Sequence, residues 1–398
     1  IAGHASNAVS VALGMARART AQGALYQVVA LLGDGAMTGG LAYEGLNNAG
    51  ASKEPMIVIL NDNGMSITPN VGGISKHLKL IRTKPGYFGI KLAYRKFTQS
   101  VPGGKYLYGL THRMKAFLKR HLVGITLFEE MGFSYIGPVD GTDVKRLTEL
   151  LQNAKELQCP VLLHVITKKG NGYGPAEENP DRFHGIGRFD KDSGESACPQ
   201  AVSFSDTFGR TVTELAAEDA RVCAITAAMQ GGTGLTAFRE KYRNRFFDVG
   251  ISEEHAVTFA GGLAVGGMLP VFAVYSTFLQ RSYDELIHDV SLQNVKVILA
   301  VDRAGVVGED GKTHQGVFDA AYLQTIPNTT VYSPAYFQEL REQLAFLVRE
   351  GKGLCAIRYP RGKELYKPSY FESSLLPFTV YGPQTGEIAV VTYGRIFS

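Results

Sequence analysis

Three uninterrupted apolar runs in the first half of the chain, YQVVALL, MIVIL and PVLLHVI, constrain the fold most. A strand with one wet face alternates apolar and polar side chains. A run without that alternation needs cover on both faces, the situation of a parallel strand flanked by helices. Helix-compatible segments lie between the runs, GGLAYEGLNNAG and DVKRLTELLQNAKEL, the second opening on an Asp suited to an N-cap. The pattern resumes later with RVCAIT, FFDVG, PVFAVY, VKVILAV, TTVYS and LCAIRY, separated by helical stretches that include EEHAVTFAGGLAVGG and QELREQLAFLVRE. Two successive βα arrays predict an α/β protein with two doubly wound, mostly parallel sheets. A length of 398 residues fits two or three domains.

Residues 174 to 205 lack periodicity and are rich in Pro, Gly, Ser and charge, which marks a linker. The first domain is therefore expected over 1–190 and the second over 200–375. Residues 76 to 120 hold eight Lys and four Arg without a single Asp or Glu, although the whole chain carries only +4. They read as a basic insertion, either a mobile cover over an anionic site or a solvated surface segment. Their aromatics match no nucleic-acid motif, so no nucleic acid is expected. No apolar run reaches transmembrane length, no signal peptide is visible, and the four cysteines form no CxxC pair. These features argue against a membrane partner, a disulfide framework and a zinc site. They predict a cytoplasmic protein, or a plastid one if a transit peptide has been lost. The first residue is Ile, and the closing EIAVVTYGRIFS reads as a strand and a turn with nothing to pack on. The chain is thus expected to be cut at both ends.

The first apolar run continues into LLGDGAMTGG, where Asp34 follows residues that should be buried. An unpaired buried carboxylate is costly, so something positive is expected there. Ligands of open α/β sheets bind beyond the carboxyl ends of strands, and the helix expected after Asp34 would offer its free N–H groups to an anion such as a diphosphate. Two anions then need a cation between them. MIVIL ends in NDNGMS, placing Asn63 29 residues after Asp34 at the end of an expected neighbouring strand. An Asp oxygen, an Asn amide oxygen and a backbone carbonyl near Met65, with two diphosphate oxygens and a water, make the octahedron of Mg²⁺. A lone GDG is commonly a turn. Followed by NDN at a second strand end, it is the pattern of thiamine diphosphate binding.

With those residues in hand, the chain resembles the 1-deoxy-D-xylulose-5-phosphate synthase family of transketolase-like thiamine diphosphate enzymes. The resemblance is densest in GDGAMTGGLAYEGLNNAG, NDNGMSI, LFEEMGFSYIGPVDGTD, ISEEHAVTFAGGLA, YSTFLQRSYDELIHDV, DRAGVVGEDGKTHQGVFD and IRYPRG. It implies a diphosphate-binding domain, an aminopyrimidine-binding domain and a C-terminal domain that 376–398 would begin. The implied cofactors are thiamine diphosphate and Mg²⁺. Gly33, Asp34, Gly35, Ala36, Asn63, Glu253 and Phe278 would meet the cofactor, and Asp34, Asn63 and Met65 the metal. Glu253 matches the family's catalytic glutamate, which hydrogen-bonds the aminopyrimidine, and Phe278 the ring that stacks on it. Glu254 stands where the family more often has Gln, so a second charge beside Glu253 would alter its pKa.

The same resemblance assigns Tyr275, Arg281, Arg303 and Arg361 to the aldehyde acceptor and its phosphate, which guanidinium forks suit. Asp310 and His314 would reach the acceptor's hydroxyl and carbonyl, His314 as a proton donor. His4 and His184 are matched to catalytic histidines close to the cofactor. Taken singly, these residues have plainer readings: a helix N-terminal acid for Glu253, a core ring for Phe278, a turn for Asp310 and structural histidines for His4 and His184. The family commonly reads GHSSTSIS where this chain has GHASNAVS, so Ala5, Asn7 and Ala8 offer no hydroxyl to a cofactor.

The resemblance implies a decarboxylating transferase that condenses pyruvate with glyceraldehyde 3-phosphate to 1-deoxy-D-xylulose 5-phosphate, a precursor of isoprenoids, thiamine and pyridoxal. It also implies a homodimer. Two other readings stand beside it: another transketolase relative, and a fragment that binds the cofactor without turnover.

Overall fold

The computed structural model describes residues 3–66, 69–83, 126–196, 201–376, 378–381, 385 and 387–397. The chain divides into two compact units, His4–Ile186 and Gly187–Ser398.

The first unit is built on four strands, β1 Val29–Gly33, β2 Ile57–Asp62, β3 Ser134–Asp140 and β4 Val161–Ile166, in the order β1-β2-β4-β3. Every ladder is parallel. Helices Ala8–Ala21, Gly40–Ser52 and Gly72–Thr83 supply Ala16, Leu46 and Leu78 to one core, against Val58 and Leu60 of β2. Helix Val144–Lys155 covers the other face with Leu150 and Ala154, against Ile57 and Leu163. Asp143 caps that helix, accepting the Arg146 N–H at 2.9 Å, as its sequence position predicts. Strand β1 pairs with β2 from Val29 opposite Ile57 to Gly33 opposite Asn61, so the GDG and NDN segments leave the sheet side by side.

The second unit holds β5 Val222–Thr226, β6 Phe246–Asp248, β7 Leu269–Tyr275, β8 Val297–Asp302, β9 Thr329–Tyr332 and β10 Leu354–Arg358. Their order is β6-β5-β7-β8-β10-β9, again all parallel. The apolar runs alternate between two cores. Val271 and Ala273 face helices Phe204–Glu218 and Phe337–Glu350, while Phe272 and Val274 face helix Glu253–Val265. Both faces are covered, which is why no polar alternation marks these strands.

Four expectations change. The helix after Asp34 does not start at once: a 3₁₀ turn, Gly35–Thr38, precedes Gly40–Ser52, because glycines at 39 and 40 break the winding. Residues 76–83, read as the start of a mobile basic insertion, belong to helix Gly72–Thr83, and Leu78 and Ile81 anchor it in the core. The rest of that insertion, 84–120, lies outside the described residues. The linker 174–205 contains a short helix, Gly174–Glu178, and ends in the first turn of Phe204–Glu218, capped by Ser203. EIAVVTYG forms no strand among the described residues; Ile388, Val390 and Val391 are exposed, since no neighbouring strand takes up their backbone bonds. Among the described residues no helix is long and apolar enough to cross a membrane.

Candidate functional site

In the first unit the site gathers where β1, β2 and β4 end. Asp34 is 2% exposed, and its Oδ2 accepts the Gly64 N–H at 2.7 Å and the Asn70 side-chain N–H at 2.8 Å. Burial and the neighbouring Asp62 push its pKa up to about 6, against the pull of the Gly64 and Asn63 amides. Asn63 Oδ1 accepts the Met65 N–H at 2.9 Å and so folds the turn back over Asp34. Gly35 has no room for a side chain, since a Cβ would lie 2.8 Å from that of Ser66. Gly33 fronts open space. The N–H groups of Gly35 and Ala36 precede the first bond of the 3₁₀ turn, from Met37 N to Asp34 O.

The donor set fits the pair of groups that the sequence implies. A carboxylate kept from ionising freely by burial and by a second carboxylate gains from a divalent cation, and the N–H groups ahead of the first bond of the 3₁₀ turn suit a diphosphate. Among the described residues no three His, Cys, Asp or Glu side chains could hold a metal by themselves. A Mg²⁺ here would have to share its coordination with non-protein oxygens, as is usual for that ion.

Asp62, the middle residue of NDN, is buried and held on three sides. Its carboxylate accepts the Gly64 N–H at 3.1 Å, lies 3.2 Å from Arg82 Nε, and meets His164 Nε2 at 2.9 Å. Burial alone would raise its pKa, but His164, Asp34 and Arg82 together hold it below the ordinary value. Nearby, Lys169 donates to Ser66 O; burial lowers its pKa, while Asp181 and Asp34 oppose the shift. His184 is lowered too, by burial and by the charge of Lys169. Ser6 Oγ donates to Ala36 O at 2.7 Å, tying the GHASN loop that carries His4 to the GDGA turn.

In the second unit the groups sit beyond the carboxyl ends of β5 to β10. Glu253 opens helix Glu253–Val265 with 1% exposure, and its Oε2 makes no hydrogen bond among the described residues. Burial pushes its pKa up to about 7; Arg281 opposes this and Glu254 adds to it slightly. Arg281 Nε lies 3.3 Å from each of the two glutamates. After β7 the Phe278 ring stacks near Tyr275, with centroids 5.9 Å apart, and meets His314 edge-on at 5.4 Å. Thr313 Oγ1 stands 2.9 Å from His314 Nδ1.

Arg303 follows β8 with φ +58°, a backbone conformation that costs a bulky residue about 1–2 kcal/mol. Its surroundings hold it there. The guanidinium lies 3.6 Å over the Tyr275 ring, donates to Gly232 O at 3.1 Å, and stands 3.3 Å from Asp302 and 3.5 Å from Asp310. Gly232 must be glycine, because a Cβ would fall 1.7 Å from the Tyr275 hydroxyl. Arg361, after β10, shares Asp310 at 2.7 Å and reaches Glu309 at 3.0 Å. Two guanidinium groups thus converge on one carboxylate.

Comparison with known proteins bears on both units. A family model described as 1-deoxy-D-xylulose-5-phosphate synthase matches residues 1–167, and one described as transketolase, pyrimidine binding domain, matches residues 200–365. A curated 1-deoxy-D-xylulose-5-phosphate synthase of Clostridium kluyveri is 48% identical over 395 residues, 99% of this chain and 63% of its own length. The chain belongs to the 1-deoxy-D-xylulose-5-phosphate synthase family. Another such relative, from Pelotomaculum thermopropionicum, is 52% identical over 90% of this chain and 56% of its own length. The chain therefore spans between 56% and 63% of these two relatives. A solved transketolase from Campylobacter jejuni aligns over 92% of this chain and 62% of its own, at 17% identity and a TM-score of 0.40.

Within this family member, the residues singled out in the sequence, His4 and His184 of the first unit apart, fall into three groups. Asp34, Asn63 and Met65 share one turn region with Gly33, Gly35 and Ala36. Tyr275, Arg303, Asp310 and Arg361 form one connected cluster, with Phe278 and His314 beside it. Arg281, expected with the acceptor arginines, lies 3.3 Å from Glu253 and from Glu254. Sequence reasoning passed over Asp62, His164, Gly232 and Glu309, and gave Lys169 no role. A signal existed for two of them: Asp62 lies inside NDN, and His164 is the one polar residue of PVLLHVI.

Proposed function

We propose that the protein is a thiamine diphosphate-dependent transferase that condenses pyruvate with D-glyceraldehyde 3-phosphate to 1-deoxy-D-xylulose 5-phosphate and CO₂. The observation that carries this reading is Glu253: a buried carboxylate whose pKa burial pushes up to about 7, with Oε2 making no hydrogen bond and only the Arg281 ion pair at 3.3 Å, inside the match to a pyrimidine-binding domain. Such a group is poised to hold or release a proton at a ring nitrogen placed against it. When bound, thiamine diphosphate supplies the nucleophilic carbon that takes a two-carbon unit from pyruvate and passes it to the aldehyde.

The chain's own residues do the rest. Asp34, the Asn63 amide oxygen and the Met65 carbonyl would hold Mg²⁺, and the amides around Gly33, Gly35 and Ala36 the diphosphate. Phe278 would offer its face to the aminopyrimidine. Arg303 and Arg361 would bind the acceptor's phosphate with paired, charge-assisted bonds, Tyr275 and Asp310 fixing their forks. His314 would give a proton to the acceptor's carbonyl oxygen. His4 and His184 would line the diphosphate side, the lowered pKa of His184 favouring a neutral ring that can accept a proton. Arg281 would balance the charge of the two glutamates. A homodimer working in the cytoplasm, feeding isoprenoid, thiamine and pyridoxal synthesis, completes the proposal.

A second reading is that this chain binds the cofactor without turning over, the two cofactor-facing clusters described above being what binding alone requires. Incubation with thiamine diphosphate, Mg²⁺, carbon-13-labelled pyruvate and glyceraldehyde 3-phosphate, followed by NMR, separates the two. Labelled 1-deoxy-D-xylulose 5-phosphate that disappears in Glu253→Gln supports the transferase. Cofactor binding without product supports the second reading, and absence of both refutes each.

A further inference from the structure

Behind the Asn63–Met65 turn runs a buried hydrogen-bonded chain that the proposed chemistry does not use. Tyr135 Oη lies 2.7 Å from His164 Nδ1, and His164 Nε2 lies 2.9 Å from Asp62 Oδ2. His164 and Asp62 are both 0% exposed, and Tyr135 is nearly so. The three side chains come from adjacent strands β3, β4 and β2. Arg82, from helix Gly72–Thr83, stands on a further side of the same carboxylate at 3.2 Å, beside the His164 and Gly64 contacts. An ionised Asp62 can only accept, so His164 donates from Nε2, and its Nδ1 is left to accept the tyrosine hydroxyl. Every polar atom along this chain is then satisfied in one arrangement.

The chain ends on the turn that matters. Asp62 shares the Gly64 N–H with Asp34, at 3.1 and 2.7 Å. Gly64 has φ +78°, and a Cβ there would stand 3.1 Å from Arg82, so the turn is seated against the guanidinium. Asn63 and Met65 flank this anchored residue. A side chain that orients Asp62 therefore orients the backbone between the two outer metal donors.

We propose that His164 is a positioning residue for the diphosphate half-site: through Asp62 it fixes the Asn63–Met65 turn in the geometry that binds Mg²⁺. The inference rests on the reading of that half-site as a Mg²⁺–thiamine diphosphate site. Outer partners of ligand-bearing groups typically change metal affinity by about 10- to 100-fold when removed.

The test is calorimetric titration of Mg²⁺ into the chain at fixed thiamine diphosphate, for the unmodified protein, His164→Leu, His164→Gln and Tyr135→Phe. The glutamine amide can still donate to Asp62, whereas leucine cannot. His164→Leu should weaken Mg²⁺ binding about 10- to 100-fold, His164→Gln should recover to within about threefold, and Tyr135→Phe should lose about three- to tenfold. If the leucine variant fails to fold by circular dichroism, Tyr135→Phe decides, because it removes one hydroxyl and leaves the ring beside Phe128. Unchanged Mg²⁺ affinity in the variants, or equal loss in leucine and glutamine, overturns the positioning role while leaving the site reading intact. No Mg²⁺-dependent binding by the unmodified chain overturns both.

Discussion

Replacing Glu253 by Gln should stabilise the ligand-free protein at alkaline pH and erase a specific pH dependence. Glu253 is 1% exposed, and its pKa rises from the ordinary 4.5 to about 7, chiefly through burial. A carboxylate raised in the folded state is harmless below its unfolded value and costs stability as pH climbs through the folded value. The window is therefore pH 4.5 to 7, and at about 1.4 kcal/mol per pH unit the loss amounts to about 3 kcal/mol. Gln keeps the shape without the charge, and Arg281 retains Glu254 as a partner. Urea unfolding at pH 5 and pH 8 gives the comparison. The variant should gain about 2.5 kcal/mol on the parent between the two pH values, since part of the cost is already present at pH 5. A difference that stays constant with pH would refute the account of Glu253 as a group held out of its ionised form by burial.

Glu254→Gln should move the midpoint of that same stability profile to lower pH, since Glu254 raises the pKa of its neighbour; an unmoved midpoint would remove Glu254 from the electrostatics of the site. Glu309 is 84% exposed and occupies Arg361 Nη2 at 3.0 Å, so an incoming phosphate competes with an internal carboxylate. Glu309→Gln should bind inorganic phosphate up to about fivefold more tightly, the range of an exposed ion pair, and less so at high salt. Equal phosphate affinity in titrations of parent and variant would count against that competition.

Much of the fold was legible because burial leaves a simple mark. The four inner strands of the second sheet, β5, β7, β8 and β10, coincide with apolar runs because they are covered on both faces, whereas the edge strands β6 and β9 are only partly buried. Strand β3 left no such run: its burial is mixed, and its ladder shifts register at Gly137–Pro138. EIAVVTYG carries the composition of a strand, but a strand needs partners, and composition does not say whether one is present. The site was legible where motif and strand end coincide, as at Asp34 and Asn63. It was not where function passes through the sheet. His164 reads as a stray polar residue in PVLLHVI until β2 and β3 bring Asp62 and Tyr135 to either side of it. The motif that places Arg281 with the other arginines gives no sign of the 3.3 Å approach of Glu253 and Glu254, which depends on how helix Glu253–Val265 meets the segment after β7.

The central claim is that Asp34 stands at the end of β1 to hold a metal against a diphosphate. Isothermal titration of thiamine diphosphate with and without Mg²⁺, repeated on Asp34→Ala, tests it most directly. Binding that requires Mg²⁺ and falls at least about 100-fold in the variant, the loss expected when a charged ligand is removed, is the predicted result. Binding that is indifferent to Mg²⁺, or that survives in Asp34→Ala, would contradict it.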